Sequence, residues 1–253
     1  MIEIIRHIRD DLSGLDGRAA FALLYAAAGL TCISYLKEPE YFRLAASFFV
    51  DPAAADELAS SRASNLPLLC WWVGVSLFFY FVLPAAWVCL IQRRKLSEIG
   101  LAHRIEPGFG RLLIICLAIM LPLIYLMSLT AGFSGKYPFL HIYDGTPYLS
   151  RSLLIWESVY FLQFFGLEFF FRGFMVHSTR PALGAYSILA MTVPYAMIHF
   201  QKPMPEAFAA IAAGVFLGWI SYRNGTIWLG LVLHCAVAFS MDILALYNKG
   251  LIP

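Results

Sequence analysis

The chain has 253 residues, of which 60% are hydrophobic and 13% are charged, and its net charge is +2. A soluble domain carries about 25% charged residues, so this composition excludes a soluble globular protein. Basic residues cluster only at Arg93, Arg94 and Lys95, which argues against a nucleic-acid partner. We therefore expect an all-α, polytopic transmembrane helical bundle with membrane lipid as a partner.

The N-terminal part of the chain contains one predicted span and a linker. Residues 2–12 place isoleucines at helical spacing opposite arginines, which predicts a short helix on the membrane surface within an interfacial segment, 1–18. The first predicted span covers 19–36. The linker at 37–66 contains an apolar piece, 42–50, that is too short to cross a bilayer, and we expect it to re-enter or to lie in the interface.

Six further apolar runs predict membrane spans. Together with the first they give seven spans, or eight if the linker piece joins a longer segment. The whole chain, 1–253, is then predicted to be a single transmembrane domain without internal repeats. The six runs cover 67–92, 112–131, 151–178, 184–200, 206–222 and 226–247.

The distribution of basic residues predicts the orientation in the membrane. The loop at 93–111 is the most basic of the chain, and Arg180 and Arg223 lie in the short loops 179–183 and 223–225. Because positively charged loops stay on the cytoplasmic side, we expect these three loops and the N-terminus in the cytoplasm. The expected location is a bacterial inner membrane.

An ionisable pair lies inside the fourth predicted span. Glu168 and Arg172 are four residues apart in a run that is otherwise apolar enough to cross a bilayer. A charge at mid-membrane costs about 2.5 to 3.5 kcal/mol on insertion scales, so such residues normally face a bundle interior or a wet cavity. The spacing puts both residues on one helix face and predicts an ion pair, either structural or functional.

Two histidines in later spans extend this group. His199 follows Tyr195 by four residues in PYAMIH, and His234 lies in LGLVLHCAVAFSMD. With Glu168 they supply one carboxylate and two imidazoles from three different helices. Such a set can converge in a bundle core around a water or a metal, and it can activate water for hydrolysis.

These residues resemble the motifs of the CAAX protease and bacteriocin-processing family of intramembrane proteases, which includes Rce1-type prenyl-protein endopeptidases. The family shows EExxxR, then FxxxH, then HxxxN or a variant. Glu168 and Arg172 match the second Glu and the Arg of the first motif. Tyr195 and His199 match the second motif, and His234 matches the third.

The resemblance covers about residues 150–247, which we therefore expect to form a protease core. It implies a water activated by a glutamate and a histidine, with the other histidine donating to the oxyanion. It also implies that no cofactor is needed and that the substrate is a membrane-tethered peptide or protein, either prenylated or of leader type.

Two positions depart from the family pattern. Leu167 takes the place of the first Glu, and Ala238 takes the place of the Asn. In the family that first Glu is usually assigned to activating water, so either Glu168 serves as the base or the protein is weakened or non-catalytic. Glu157, three turns earlier near the same helix face, is a reserve acid, with an interfacial carboxylate as its alternative role.

Asp242 is a supporting candidate, because eight residues after His234 it could orient that imidazole. Two other functions stay open. Glu168, His199 and His234 also form the two-His, one-carboxylate set of a hydrolytic zinc site, although the HExxH motif is absent. A non-catalytic membrane protein with an immunity or scaffold role fits the departures at the motif positions.

Simple alternation of the spans predicts different depths for the three candidate residues. Glu168 then lies near the cytoplasmic end of its span, whereas His199 lies near the opposite end of the next one. Residues at different depths cannot share one water. The sequence offers two local remedies, a kink at Pro194 and a break at Gly166 with which Glu168 begins a new segment, and the third possibility is that the predicted span boundaries are off by a turn or two.

Overall fold

The computed structural model describes Ile4, His7, 12–105 and 107–253, and within these residues the fold is built from helices. Most of the predicted surface helix at 2–12 lies outside the described residues. In chain order the helices are α1 (Gly17–Leu36), α2 (Pro39–Ala46), α3 (Pro52–Ser60), α4 (Leu66–Ile91), α5 (Phe109–Ser128), α6 (Ala131–Lys136), α7 (Arg151–Leu183), α8 (Tyr186–Met197), α9 (Met204–Asn224) and α10 (Trp228–Asn248).

Six helices of the described chain are long and apolar enough to cross a membrane, namely α1, α4, α5, α7, α9 and α10. The all-α membrane fold is therefore confirmed, but the predicted count of seven to eight spans is not. The run at 184–200 forms α8, which has 12 residues. At 1.5 Å per residue it is about 18 Å long, which is shorter than a hydrocarbon core of about 30 Å.

The linker piece at 42–50 does not join a longer span. Pro39 and Pro52 each stand at the first position of a short helix, where the missing N–H and the fixed φ of proline favour helix initiation. The linker therefore folds as two short helices, α2 and α3, joined by a turn.

Helix α7 lies at the centre of the bundle and is its most buried span. Its backbone changes from α to π geometry between Phe169 and Met175 and then returns to α geometry. All seven residues of this π segment are buried, including the phenylalanines that follow Glu168. These rings pack against neighbouring helices, for example Phe170 against Tyr25 and Tyr80.

The π segment packs tightly against the loop that follows α4. A Cβ atom at Gly173 would lie 2.5 Å from the carbonyl oxygen of Ile99, and a Cβ at Gly100 would lie 2.9 Å from Gly173 Cα. Gly100 also has a φ of +106°, which L side chains rarely adopt. The two backbones thus approach at a distance that only glycines permit, and this crossing fixes the position of α7 next to Arg172.

Three loops meet at one end of the bundle. This agrees with the prediction, made from their basic residues, that all three lie on the same side of the membrane. Trp228 Nε1 donates to the carbonyl of Ala102 at 2.8 Å, and Ile227 N donates to Gly100 O at 3.1 Å. Arg180 Nη1 donates to Tyr222 O at 3.1 Å. These contacts place the predicted cytoplasmic loops together, while the side of the membrane on which they lie stays a prediction.

Candidate active site

Glu168 is completely enclosed and forms an ion pair on its own helix. Its Oε1 lies 3.1 Å from Arg172 Nη1, and both side chains are buried. The predicted pair of Glu168 and Arg172 therefore exists. Pairing at this burial is required, because an isolated charge in a low-dielectric interior carries a desolvation penalty of several kcal/mol.

His234 is the second partner of Glu168. Its Nδ1 lies 2.6 Å from Glu168 Oε1, a close electrostatic contact in which the N–H is not aligned as in an ideal hydrogen bond. Its Nε2 lies 3.0 Å from the Tyr195 hydroxyl. Because a carboxylate only accepts, the neutral ring carries its proton on Nδ1, and Nε2 accepts from the tyrosine.

Tyr195 connects the charged pair to both histidines. The Arg172 guanidinium lies 3.8 Å from the centroid of its ring, in a cation–π contact. The Tyr195 carbonyl accepts a hydrogen bond from His199 Nδ1 at 2.8 Å, and the two rings are 4.8 Å apart. In this tautomer of His199 the lone pair lies on Nε2.

The short length of α8 resolves the depth conflict that the sequence raised. α8 is about 18 Å long, so His199, just beyond its end, stays within the bundle instead of reaching the far surface. Neither local remedy is needed: Gly166 lies inside the continuous helix α7, and Pro194 lies inside α8. Glu168, Arg172, Tyr195 and His234 are in direct contact, and His199 joins them through Tyr195.

A groove of about 890 Å³ lies beside this cluster, between α1, α7 and α8. His199 and Leu167 line it, as does Phe164, whose ring stacks on His234 at 5.3 Å. Glu168 does not line it. Leu167, at the position of the family's first Glu, therefore lines the groove together with His199, whereas Glu168 points into the interior of the bundle.

Ala238 lies one turn after His234 and is 6% exposed. It belongs to an apolar cluster with Trp156, Tyr160 and Phe164. The amide donor that the family pattern places here is thus replaced by a methyl group that packs on aromatic rings.

The predicted role of Asp242 is wrong. Its Oδ2 accepts from Trp156 Nε1 at 2.8 Å, and both nitrogens of His234 have other partners. Asp242 lies eight residues beyond His234, about 12 Å along α10, so it reaches a different level of the bundle. There it faces Glu157, and these carboxyl groups hydrogen-bond to each other only when one carries a proton.

Glu157 accordingly does not serve as a reserve acid for the Glu168 site. Its side chain is 6% exposed, so protein covers it, and its level relative to the membrane interface stays a prediction. Eleven residues of helix separate it from Glu168, a distance of about 16 Å along the axis, and one water cannot bridge that gap.

Two neighbours of the site were missed from the sequence. Ser221 Oγ donates to Arg172 O at 2.9 Å, and His177 Nε2 lies 3.2 Å from Ser221 Oγ. This bond satisfies a carbonyl of the π segment, where regular α-helical pairing is interrupted. His177 is itself buried, with 7% of its surface exposed.

Gly230 is a third missed residue, and it leads to a testable prediction. A Cβ atom there would overlap the carboxylate of Glu168. A signal was available, because Gly230 lies four residues before His234 and therefore on the same helix face. We expect Gly230→Ala to lower the free energy of unfolding by about 1 to 3 kcal/mol, as overpacking does, and to displace Glu168.

The measurement is unfolding of the purified protein in detergent. Gly74→Ala is the matched control, because a Cβ at Gly74 meets no atom within 4 Å and the substitution favours the helix. Equal stability of the Gly230 and Gly74 variants would show that the carboxylate is not held against α10.

A sequence model of the type II CAAX prenyl endopeptidases, described as Rce1-like, matches residues 149–240. This segment is similar to the Rce1-like family. The match runs from the start of α7 into α10 and includes Glu168, Tyr195, His199 and His234. No curated protein and no solved structure matches the chain. The resemblance seen in the motifs is thereby confirmed, and the family is one of membrane proteases.

Proposed function

We propose that this Rce1-like protein is an intramembrane endopeptidase that hydrolyses a peptide bond of a membrane-associated substrate, prenylated or of leader type. The observation that carries the proposal is the contact of Glu168 Oε1 with His234 Nδ1 at 2.6 Å, with the Tyr195 hydroxyl on Nε2. A carboxylate behind an imidazole holds the tautomer and stabilises the imidazolium that forms during hydrolysis. The Rce1-like match over the same residues supports the proposal.

In this mechanism His199 accepts a proton from the attacking water. Its Nδ1 donates to a carbonyl, so Nε2 is the free acceptor, and its ring lines the groove through which water and substrate enter. Glu168 is fully enclosed, whereas the side chain of His234 in front of it is 18% exposed. We therefore assign Glu168 to His234 rather than to the water.

Tyr195 and His234 act on the carbonyl oxygen. The Tyr195 hydroxyl turns from His234 Nε2 to the tetrahedral oxyanion. His234 takes up a proton at Nε2 from bulk water when the substrate binds, keeps it through the reaction beside Glu168, and donates it in a second hydrogen bond to the oxyanion. One such donor contributes about 2.7 to 4 kcal/mol to lowering the barrier. The C–N bond then breaks as His199 returns its proton to the leaving amine, which regenerates the neutral imidazole.

The test incubates the purified protein in nanodiscs with membrane-tethered peptides, with and without a prenyl group, and detects new termini by mass spectrometry. Cleavage by the wild type should be lost in His199→Ala and in His234→Ala. The control is His103→Ala, because His103 is exposed in the loop after α4, and this variant should cleave normally. Equal cleavage by all four proteins would refute the mechanism.

Leu167→Glu tests the departure from the family motif. The new carboxylate would lie on the groove side of α7 with His199 and would stabilise the imidazolium formed there. We expect the cleavage rate to rise by up to about 10², the lower end of what one general acid or base contributes. Leu167→Gln has the same size without the charge and should not gain activity; an equal gain in both variants would contradict the proposal.

Two other functions make different predictions. A non-catalytic immunity or scaffold role is favoured by the apolar residues at Leu167 and Ala238, and absence of cleavage even in Leu167→Glu would support it.

A zinc hydrolase would use Glu168, His199 and His234 as ligands, although the described residues contain no group of three such side chains placed to hold a metal. Inhibition by a chelator, reversed by zinc, would identify that case.

We also propose that the N-terminus and the loops containing Arg94, Arg180 and Arg223 are cytoplasmic, in a bacterial inner membrane. The support is that these basic loops meet at one end of the bundle. α10 begins at these loops, and Asn248 at its other end donates to the carbonyl of Ser128, the last residue of α5, at 3.1 Å. Reporter fusions at residue 253 should then report the periplasm.

A further inference from the structure

The two short helices α2 and α3 present an apolar surface that no other part of the described chain covers. It lies on the last turn of α2 and on the turn that follows. Leu44 is 59% exposed, Phe48 78%, Phe49 88% and Val50 39%. We name these residues, 44–50, the aromatic tip.

The other sides of the hairpin are tied to the protein or charged. Ala55 and Ala59 of α3 are buried. Arg43 Nε lies 2.9 Å from Asp56 Oδ1, an exposed ion pair that links the two helices. Asp51 caps α3 by accepting from Ala54 N at 3.0 Å. The tip is thus presented by a defined hairpin and not by a loose loop.

The level of the hairpin in the membrane follows from its neighbours. α1 has 20 residues and is about 30 Å long, so it ends at the edge of the hydrocarbon core. Trp71 Nε1 donates to the carbonyl of Leu36, the last residue of α1, at 2.8 Å, and its ring lies 5.8 Å from that of Phe42. Tryptophan is enriched at the level of the lipid headgroups. The hairpin therefore lies at the membrane interface.

We propose that the aromatic tip inserts into the lipid bilayer and that α2 and α3 form an in-plane anchor. Phospholipid is the partner because the tip follows Phe42, whose ring lies 5.8 Å from that of Trp71, at the level of the lipid headgroups. Charge does not drive the insertion, since residues 37–66 contain five acids and three bases. Zwitterionic lipid should suffice, unlike the anionic lipid that a basic amphipathic helix needs.

This anchor also borders the groove. Ser34, Tyr35 and Lys37 line the groove and lead directly into α2. Insertion of the tip would hold that edge of the groove against the membrane surface. The inference does not depend on catalysis, because lipid contact is measured whether or not the protein cleaves a substrate.

The test uses the full chain in phosphatidylcholine nanodiscs that contain a phospholipid with a photoreactive diazirine, followed by peptide mass spectrometry. We expect adducts at 44–50 comparable to those on α5, whose residues are largely uncovered by protein. The loop at 143–147, at the same end of the bundle, should remain unlabelled. Labelling of 44–50 at only the level of 143–147 would overturn the proposal.

Variants separate insertion from general exposure. The double variant with Phe48→Ser and Phe49→Ser should lose the adducts at the tip while those on α5 persist. Leu149→Ser is the control, because Leu149 is 60% exposed at the same end and its replacement should leave tip labelling unchanged. Persistent tip labelling in the double variant would contradict the assignment of lipid insertion to Phe48 and Phe49. If the double variant fails to fold, the labelling of the wild-type protein alone still tests the proposal.

Discussion

Glu168→Gln should reduce peptide cleavage by about 10² to 10⁴, the contribution of a positioned acid or base. The carboxylate touches His234 Nδ1 at 2.6 Å, and a neutral amide in its place stabilises an imidazolium far less. The amide is nearly isosteric, and its oxygen can still accept from Arg172 Nη1, which keeps the local geometry. The buried guanidinium loses its anion, so we expect a less stable protein that still folds, and rates are compared per amount of folded protein. The measurement is the initial rate of cleavage in nanodiscs at a temperature well below unfolding.

The matched control is Glu157→Gln, which changes another buried glutamate of the same helix. Glu157 faces Asp242 and not His234, so its amide variant should keep activity. Cleavage at the wild-type rate by Glu168→Gln would show that the glutamate has no part in the reaction. Equal losses in both variants would point to damage of α7 as a whole.

Local periodicity allowed the first part of the site to be predicted. Residues four apart on one helix share a face, and this rule paired Glu168 with Arg172 and connected Tyr195 to His199. The same rule also contained the signal for Gly230 next to His234. These relations depend only on the helical repeat, which the sequence defines without knowledge of the tertiary fold.

Contacts between helices could not be obtained in the same way. The partner of Asp242 depends on how far α10 is shifted along α7, and that shift brings Trp156 beside it instead of His234. The π segment from Phe169 to Met175 adds to the difficulty, because it changes which face each later residue presents. Gly173 within this segment approaches Gly100 closely, which is a tertiary contact that helical periodicity does not reveal.

Helix length was the other quantity that the apolar pattern did not provide. The run at 184–200 is apolar throughout most of its length, yet α8 ends at Met197 and a turn follows at 198–203. Hydrophobicity measures how favourably a segment enters lipid, and it does not report where the backbone stops being helical. This early end is what keeps His199 inside the bundle next to Tyr195.

Arg172→Ala should lower the free energy of unfolding by about 3 to 5 kcal/mol, because it leaves Glu168 buried without its cation. The guanidinium lies 3.1 Å from Glu168 Oε1 and 3.8 Å from the centre of the Tyr195 ring, so two contacts are lost together. The measurement is unfolding in detergent, accompanied by the level of folded protein in membranes.

Arg172→Met separates charge from volume, since methionine fills much of the same space without a charge. If the unpaired carboxylate is the cause, Arg172→Met should be nearly as unstable as Arg172→Ala. Adding Glu168→Gln to Arg172→Met should then recover stability, because the double variant buries no unpaired charge. The difference between the stability change of the double variant and the sum of the two single changes measures the coupling energy of the pair. Normal stability of both single arginine variants would mean that the ion pair does not hold α7 together, and the requirement for Arg172 would then have to lie in the chemistry at Tyr195.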